Sequence, residues 1–411
     1  MKGNTEMKRI LFANHAQFEG RRTNLGDWAI FEQMEETLLP EIKKGNIEII
    51  VPSADVDYTN SHYHVKAFKR GGIGGIFRTL KWIVKSDIVL IGGGEIVQDR
   101  SSLVYIPYQL IRPFIAKLFG KKLFAYAIGV GEKEEISFLG KWQSKLVLNM
   151  FDIITVRDQK SYTVLREYLK VKRPEIYVTA DPALNLKCRK VDEPGMESPF
   201  FVISVRSVYH RNGNLLPYAV RKKLKLVPKK YYEEINKFKN DVVEMVENLI
   251  EKYDFNAKFL NTYTGPKMSA SDDKFTADVM RRITKKYQSK ISVINTENTP
   301  AEIKYVLGKA QFIITVPLHP LILGASENVP VFSLAYASKN KSFMKQIGRS
   351  ENIYSVEQIG QCLDVEKILC DIQNVMDNNK SYKNNLLKEV NYNKEKERKN
   401  FEKLMALCKL Y

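Results

Sequence analysis

Cysteine is scarce in this chain of 411 residues: Cys188, Cys362, Cys370 and Cys408 are the four present, and no two form a CxxC pair. That spacing points to unpaired thiols in a reducing cytoplasm. Histidine is almost as rare, with five in all. No cluster of His, Cys and Asp has metal-ligand spacing, so neither a metal nor a resident cofactor is expected. Long apolar runs are missing too: nothing approaches the roughly 18–20 uninterrupted residues of a membrane-spanning helix. The opening "MKGNTEMKRILFANH" enters a short strand-like run directly, without a signal-peptide core or cleavage pattern. There is no GxGxxG, which weakens a dinucleotide reading, and no internal repeat. With 44% hydrophobic and 27% charged residues, the chain reads as a soluble globular protein, long enough for two domains.

Acidic residues are also in deficit. The 65 Lys and Arg outnumber 47 Asp and Glu, giving a formal net charge of +18. Such an excess calls for an anionic partner. No RNA- or DNA-binding motif is present, so nucleic acid is not expected. Phosphorylated small molecules and anionic membrane lipids remain. "KAFKRGGIGGIFRTLKWIVK" (Lys66–Lys85) and "QLIRPFIAKLFGKKLF" (Gln109–Phe124) interleave basic with large apolar residues, and "VRKKLKLVPKKYY" (Val220–Tyr232) does so in shorter form. Such mixtures suit a peripheral contact with the inner face of a membrane, although amphipathic helices with solvated Lys and Arg have the same pattern.

What the chain does contain is alternation. "RILFAN", "IEIIVP", "DIVLIGGG", "KLFAYAIGVG", "DIITVRD" and "IYVTADPAL" read as strands separated by helix-compatible segments. These runs are apolar throughout, as expected of strands buried on both faces of a parallel sheet. The polar passage "CRKVDEPGMESP" then breaks the series, which restarts at "FFVISVR" and runs to "VPVFSLAY". The expected fold is α/β: a Rossmann-like domain over 1–187, a linker over 188–199, a second Rossmann-like domain over 200–355, and charged helices over 356–411. Ligands in such sheets bind beyond the carboxyl ends of the strands.

Several strand ends carry ligand-competent groups. "NLGDWAI" puts Asn24, Gly26 and Asp27 at a helix start, where they face an anion or simply cap the helix. The triplet Gly92, Gly93 and Gly94, followed by Glu95, permits close backbone approach, and "AIGVGE" (Ala127–Glu132) repeats the device. Arg157 and Asp158 read as a structural ion pair with capping, and Asp181-Pro182 as a domain-closing turn. In the second half, Arg206 is placed to grip carboxylate or phosphate, or to close a salt bridge at a sheet edge. His319 follows strand "QFIITV", where it can bind an anion or move a proton. Tyr336 and Lys339 follow the next strand. The acids of Ser271–Asp273 read as a helix cap.

In this order the motifs resemble the polysaccharide pyruvyl transferase family. They are N-x-G-D-x-A-I (Asn24–Ile30), G-G-G-x-x-x-x-D (Gly92–Asp99), A-x-G-x-G (Ala127–Gly131), R-D-x-x-S-Y-x-x-L (Arg157–Leu165) and D-P-A-x-x-L (Asp181–Leu186). S-x-R (Ser204–Arg206), Leu318-His319, V-P-V (Val329–Val331) and Y-x-x-K (Tyr336–Lys339) continue the likeness to about residue 350.

The resemblance implies a glycosyltransferase-B-like pair of domains facing a cleft, with phosphoenolpyruvate as co-substrate. The donor's enolpyruvyl group would pass to two hydroxyls of a sugar or lipid-linked oligosaccharide, forming a pyruvate ketal and releasing phosphate. By position, Arg206, His319, Tyr336 and Lys339 would bind the donor, with His319 as general acid or base. Asn24, Asp27, Gly92, Gly93, Gly94, Glu95 and Asp99 would line the acceptor side. One departure stands out: the family pattern is R-L-H, whereas this chain has Pro317-Leu318-His319. Arg206, Arg211, Lys339 or Lys341 would have to supply the missing cation. A nucleotide-sugar glycosyltransferase of the same architecture, or a silent glycan-binding member, are the competing expectations.

Overall fold

The short Val/Ile/Leu runs leave no polar face, so each must be covered by helices on both sides. A computed structural model describes residues 7–13, 24–99, 102–207, 224–264, 272–356 and 363–410. Its strands are β1 (Lys8–Phe12), β2 (Ile47–Ser53), β3 (Lys66–Lys69), β4 (Ile88–Val97), β5 (Lys122–Val130), β6 (Ile153–Val156) and β7 (Glu175–Val178), then β8 (Phe200–Ser204), β9 (Asn256–Phe259), β10 (Ile291–Val293), β11 (Ile313–Thr315), β12 (Val331–Ala335) and β13 (Ile353–Ser355). The first seven form one sheet in the order β3-β2-β1-β4-β5-β6-β7, and the last six form another, β10-β9-β8-β11-β12-β13. Every registered pair is parallel. The fold is thus two parallel-sheet α/β domains with a helical C-terminal region, as the alternation suggested.

In each sheet the strand order reverses once, between β1 and β4 in the first and between β8 and β11 in the second. A crevice opens at such a switch point because the connections on its two sides run to opposite faces. The residues that follow these four strands are therefore the ones to watch.

Three apolar clusters fill the layers. One lies on the outer face of the first sheet and one on the outer face of the second. The third is shared: it joins Trp28 and Phe31 of helix Leu25–Lys43 to Leu307 and Leu321 of the second domain and to Leu386 and Leu404 of helix Asn379–Cys408. That last helix is rich in charged residues, yet it buries a stripe of residues against this cluster. Its Asn400 accepts a hydrogen bond from Thr179 of the first domain at 2.8 Å.

Two local features differ from the sequence expectation. "KAFK" forms edge strand β3 on β2, burying Phe68 while its lysines face water, which protects an exposed sheet edge. And β4 does not stop at its glycines but continues through them to Val97.

Candidate active site

The cavity between the two sheets has a volume of about 240 Å³. Its first-domain wall carries Asn24, Gly26 and Asp27, which follow β1, the Gly92–Glu95 stretch of β4, and Arg157 beyond β6. Its second-domain wall carries Arg206 beyond β8, Thr262 beyond β9, Pro317 to His319 beyond β11, and Tyr336 and Lys339 beyond β12. The two walls meet directly: the Leu25 N–H donates to the Thr262 carbonyl at 2.8 Å, and Asn24 pairs with Tyr263 in an isolated antiparallel bridge.

Ten of the residues singled out from the sequence meet here: Asn24, Asp27, Gly92, Gly93, Gly94, Glu95, Arg206, His319, Tyr336 and Lys339. Asp99 does not. Because β4 runs on to Val97, Asp99 is carried past the cavity to helix Phe138–Leu148, where its carboxylate accepts from the Ser137 N–H at 3.0 Å and from the Ser137 hydroxyl. Of the cations considered as stand-ins at Pro317, Arg206 and Lys339 line the cavity and Lys341 does not, while Arg211 lies outside the described residues. Ser271 lies outside them as well; Asp272 accepts from the Thr262 N–H at 3.0 Å and sits 3.3 Å from Arg206 Nε.

Sequence reasoning missed Arg157 and Asp181 as a site pair. Arg157 is buried, and its Nη1 donates to Asp181 Oδ2 at 3.1 Å. Burial opposes its charge, but Asp181, Asp158 and Glu95 together raise its pKa above the ordinary value. Gly129 makes this placement feasible, since a Cβ there would stand 2.8 Å from Arg157 Nη2. Asp158 does cap, accepting from the Ser161 N–H at 2.7 Å. Gln98, Tyr105 and Gln109 also line the cavity; nothing in their local sequence marks them.

His319 sits in the first turn of helix Leu318–Ser326, held by a turn in which the Thr315 hydroxyl donates to the Pro317 carbonyl at 3.0 Å. Its side chain is 14% exposed, and Nε2 lies 3.9 Å from Asp181 Oδ2. Burial depresses its pKa to about 4, with Arg157 and Lys339 adding to the effect and Asp181 opposing it. The imidazole is therefore neutral at pH 7. Its ring lies against Gly26: a Cβ on that residue would be 2.0 Å from Nδ1. Asp27 behaves in the opposite way. Burial raises its carboxyl to about 6, against the pull of Lys339, a hydrogen bond from Asn24 and Arg157. Two proton-exchanging groups thus face one cavity with pKa values displaced from their ordinary positions, a pattern typical of catalytic sites.

Positive helix ends and cations converge on the cavity. Helices Leu25–Lys43, Leu318–Ser326 and Ser338–Gln346 all begin at its walls and direct their positive ends inward. Arg157, Arg206 and Lys339 line it beside the carboxylates of Asp27 and Glu95, with Arg157 paired to Asp181 and Arg206 3.3 Å from Asp272.

The family model for polysaccharide pyruvyl transferase matches residues 24–338, which span both walls. The chain belongs to the polysaccharide pyruvyl transferase family. Among curated relatives, the amylovoran biosynthesis protein AmsJ of Erwinia amylovora is 22% identical over 297 residues. The match covers 71% of this chain and 66% of AmsJ, slightly under two thirds of that relative's length. The pyruvyl transferase fold is similar to that of S. aureus MnaA solved with UDP, at a TM-score of 0.58 and 14% identity, over 93% of this chain and 91% of that one. A glycosyltransferase from Rickettsia africae aligns at a TM-score of 0.57 and 12% identity, over 98% of both chains.

Proposed function

We propose that this transferase moves the enolpyruvyl group of phosphoenolpyruvate onto two hydroxyls of a sugar in a polysaccharide or lipid-linked glycan precursor, releasing phosphate and leaving a pyruvate ketal. The observation that carries the proposal is the convergence of Arg157, Arg206 and Lys339 with three helix starts around His319. A donor bearing both a phosphate and a carboxylate needs such a surround. Asn24, Gln98, Tyr105 and Gln109, neutral hydrogen-bonding groups on the first-domain wall, suit sugar hydroxyls.

The chemistry follows from the two displaced pKa values. Binding the donor's negative charges beside His319 raises the affinity of its imidazole for a proton, so it enters the reaction as an acid. It protonates the methylene carbon of the enol, leaving an oxocarbenium-like centre at the adjacent carbon. One sugar hydroxyl attacks that centre and gives its proton to Asp27. The bond between that carbon and the phosphate oxygen then breaks, and phosphate takes the proton from Asp27 as it leaves against Arg206 and Lys339. The second hydroxyl attacks the same carbon and returns a proton to His319, closing the ketal. One proton enters carbon, two leave the hydroxyls, and phosphate carries one away.

Pro317 bears no charge where the family pattern has arginine. In this reading Arg206 and Lys339, which line the cavity, carry the donor's charge in its absence. Arg206→Ala should weaken phosphoenolpyruvate binding about 10- to 100-fold, the loss of a charge-assisted contact of about 1.5–3 kcal/mol. Calorimetric titration measures it directly, and an unchanged affinity would remove Arg206 from the donor site.

A further inference from the structure

We propose that the outer face of the first domain docks on an anionic lipid bilayer. Helices Gly72–Lys85, Tyr105–Leu118 and Phe138–Leu148 cover this face, anchored in its apolar cluster through Ile83, Leu110 and Val147. The second domain shares a cluster with the opposite face, so this one points away from it. The free sides of the three helices are apolar where polar residues are expected. Among the described residues 20 large hydrophobic side chains are exposed, and 11 of them stand on these helices. Phe138 is 88% exposed, Ile73 75%, Phe77 67% and Trp142 58%. An apolar patch of this extent marks an interaction surface.

The charges on the same helices identify the occupant. They carry seven Lys and Arg, three on the first helix and two on each of the others, and no Asp or Glu. Lys117 is 3.3 Å from Asp152 of the neighbouring loop. A second copy of the chain would bring seven cations against seven, a like-charge contact that costs association energy. Aromatic and aliphatic side chains interleaved with cations of a single sign match a bilayer interface with negative headgroups. Between the first two helices lies a groove of about 820 Å³, walled by Ile76, Leu80, Tyr108 and Ile111, with Arg70 and Arg112 also in its lining.

Helix Tyr105–Leu118 joins this face to the active cavity. Tyr105 and Gln109 line the cavity, while Tyr108, Ile111 and Arg112 line the groove. A docked protein therefore holds its cavity beside the lipid surface, and, resting on the pyruvyl transfer reading, its acceptor sugar is one carried on a lipid. Among the described residues no helix is long and apolar enough to cross a membrane, so the contact is peripheral.

The test is co-sedimentation with vesicles of phosphatidylcholine alone or with about a third phosphatidylglycerol, at about 0.05 M and about 0.5 M salt. The wild type is expected to pellet with the anionic vesicles at low salt and to be released at high salt. Phe77→Ser/Phe138→Ser/Trp142→Ser and Lys81→Glu/Lys85→Glu/Lys145→Glu should each lose at least tenfold in partitioning. All six side chains are solvent-facing, so both variants should keep the melting temperature, and any thermal shift with phosphoenolpyruvate, of the wild type. Absent or salt-indifferent binding, equal binding by the variants, or concentration-dependent dimerisation abolished by the apolar triple variant would each overturn the proposal. A missing phosphoenolpyruvate shift with intact vesicle binding would instead count against the proposed donor, leaving the docking face standing.

Discussion

At the scale of single residues, the site depends on two absences of a side chain. Gly26 leaves room for the His319 ring and Gly129 for the Arg157 guanidinium. Gly26→Ala should displace the imidazole and lower turnover about 10²–10⁴-fold, as His319→Gln should by removing the proton carrier. Because the alanine also overpacks the interdomain contact, it should cost about 1–3 kcal/mol of stability, visible in a urea midpoint. Full activity in Gly26→Ala would show that the ring position is immaterial. The displaced pKa values make a second prediction. His319, held at about 4, resists in the fold a proton that the unfolded chain takes up near 6.5, so it makes stability rise with pH over about 4 to 6.5. Asp27, raised to about 6, keeps in the fold a proton that the unfolded chain releases near 4, so it makes stability fall over about 4 to 6. In the ligand-free wild type the two slopes oppose each other. Relative to the wild type, Asp27→Asn should tilt the melting-temperature profile toward a rise across that window and His319→Gln toward a fall; identical profiles in all three proteins would contradict the assignments.

At the scale of elements, strands and helices were legible because burial dictates their patterns. Continuous apolar runs marked the central strands, and ligand-competent residues stood directly after them. Edge strand β3 was harder to see, since an edge needs only one buried residue, Phe68, and its lysines look like surface charge. Asp99 was misplaced for a related reason: glycines end a strand or run through it, and only pairing with β5 decides which. Helix Asn379–Cys408 gave little sign of its role. Its charges dominate the sequence, while a stripe including Leu386, Val390 and Leu404 enters the cluster that joins the two domains. Leu386→Ala should therefore cost about 2–5 kcal/mol in global stability, measured by denaturant unfolding. A loss confined to fraying of this helix, with the main transition unchanged, would mean that the helix is an accessory.

At the scale of the whole molecule, the site is a product of the interface. Each sheet supplies its switch point, and the two sets of strand ends face each other across about 240 Å³. Lys160 donates to Ser338 at 3.0 Å and Gln346 to the Arg157 carbonyl at 2.7 Å, tying the walls together beside the cavity. Pairings of this kind, between residues some 180 positions apart, leave no trace in local sequence. This is why Arg157 reads as a structural pair with its neighbour Asp158, when its guanidinium pairs with Asp181 at 3.1 Å and reaches the cavity.

The most direct test of the central claim uses phosphoenolpyruvate labelled separately in its pyruvyl carbons and its phosphorus, incubated with the protein and a glycan-lipid fraction. The account predicts that carbon label enters the glycan while an equal amount of phosphorus appears as inorganic phosphate, and that His319→Gln abolishes both. Sugar transfer from a nucleotide sugar without consumption of phosphoenolpyruvate, or carbon incorporation indifferent to His319, would contradict it.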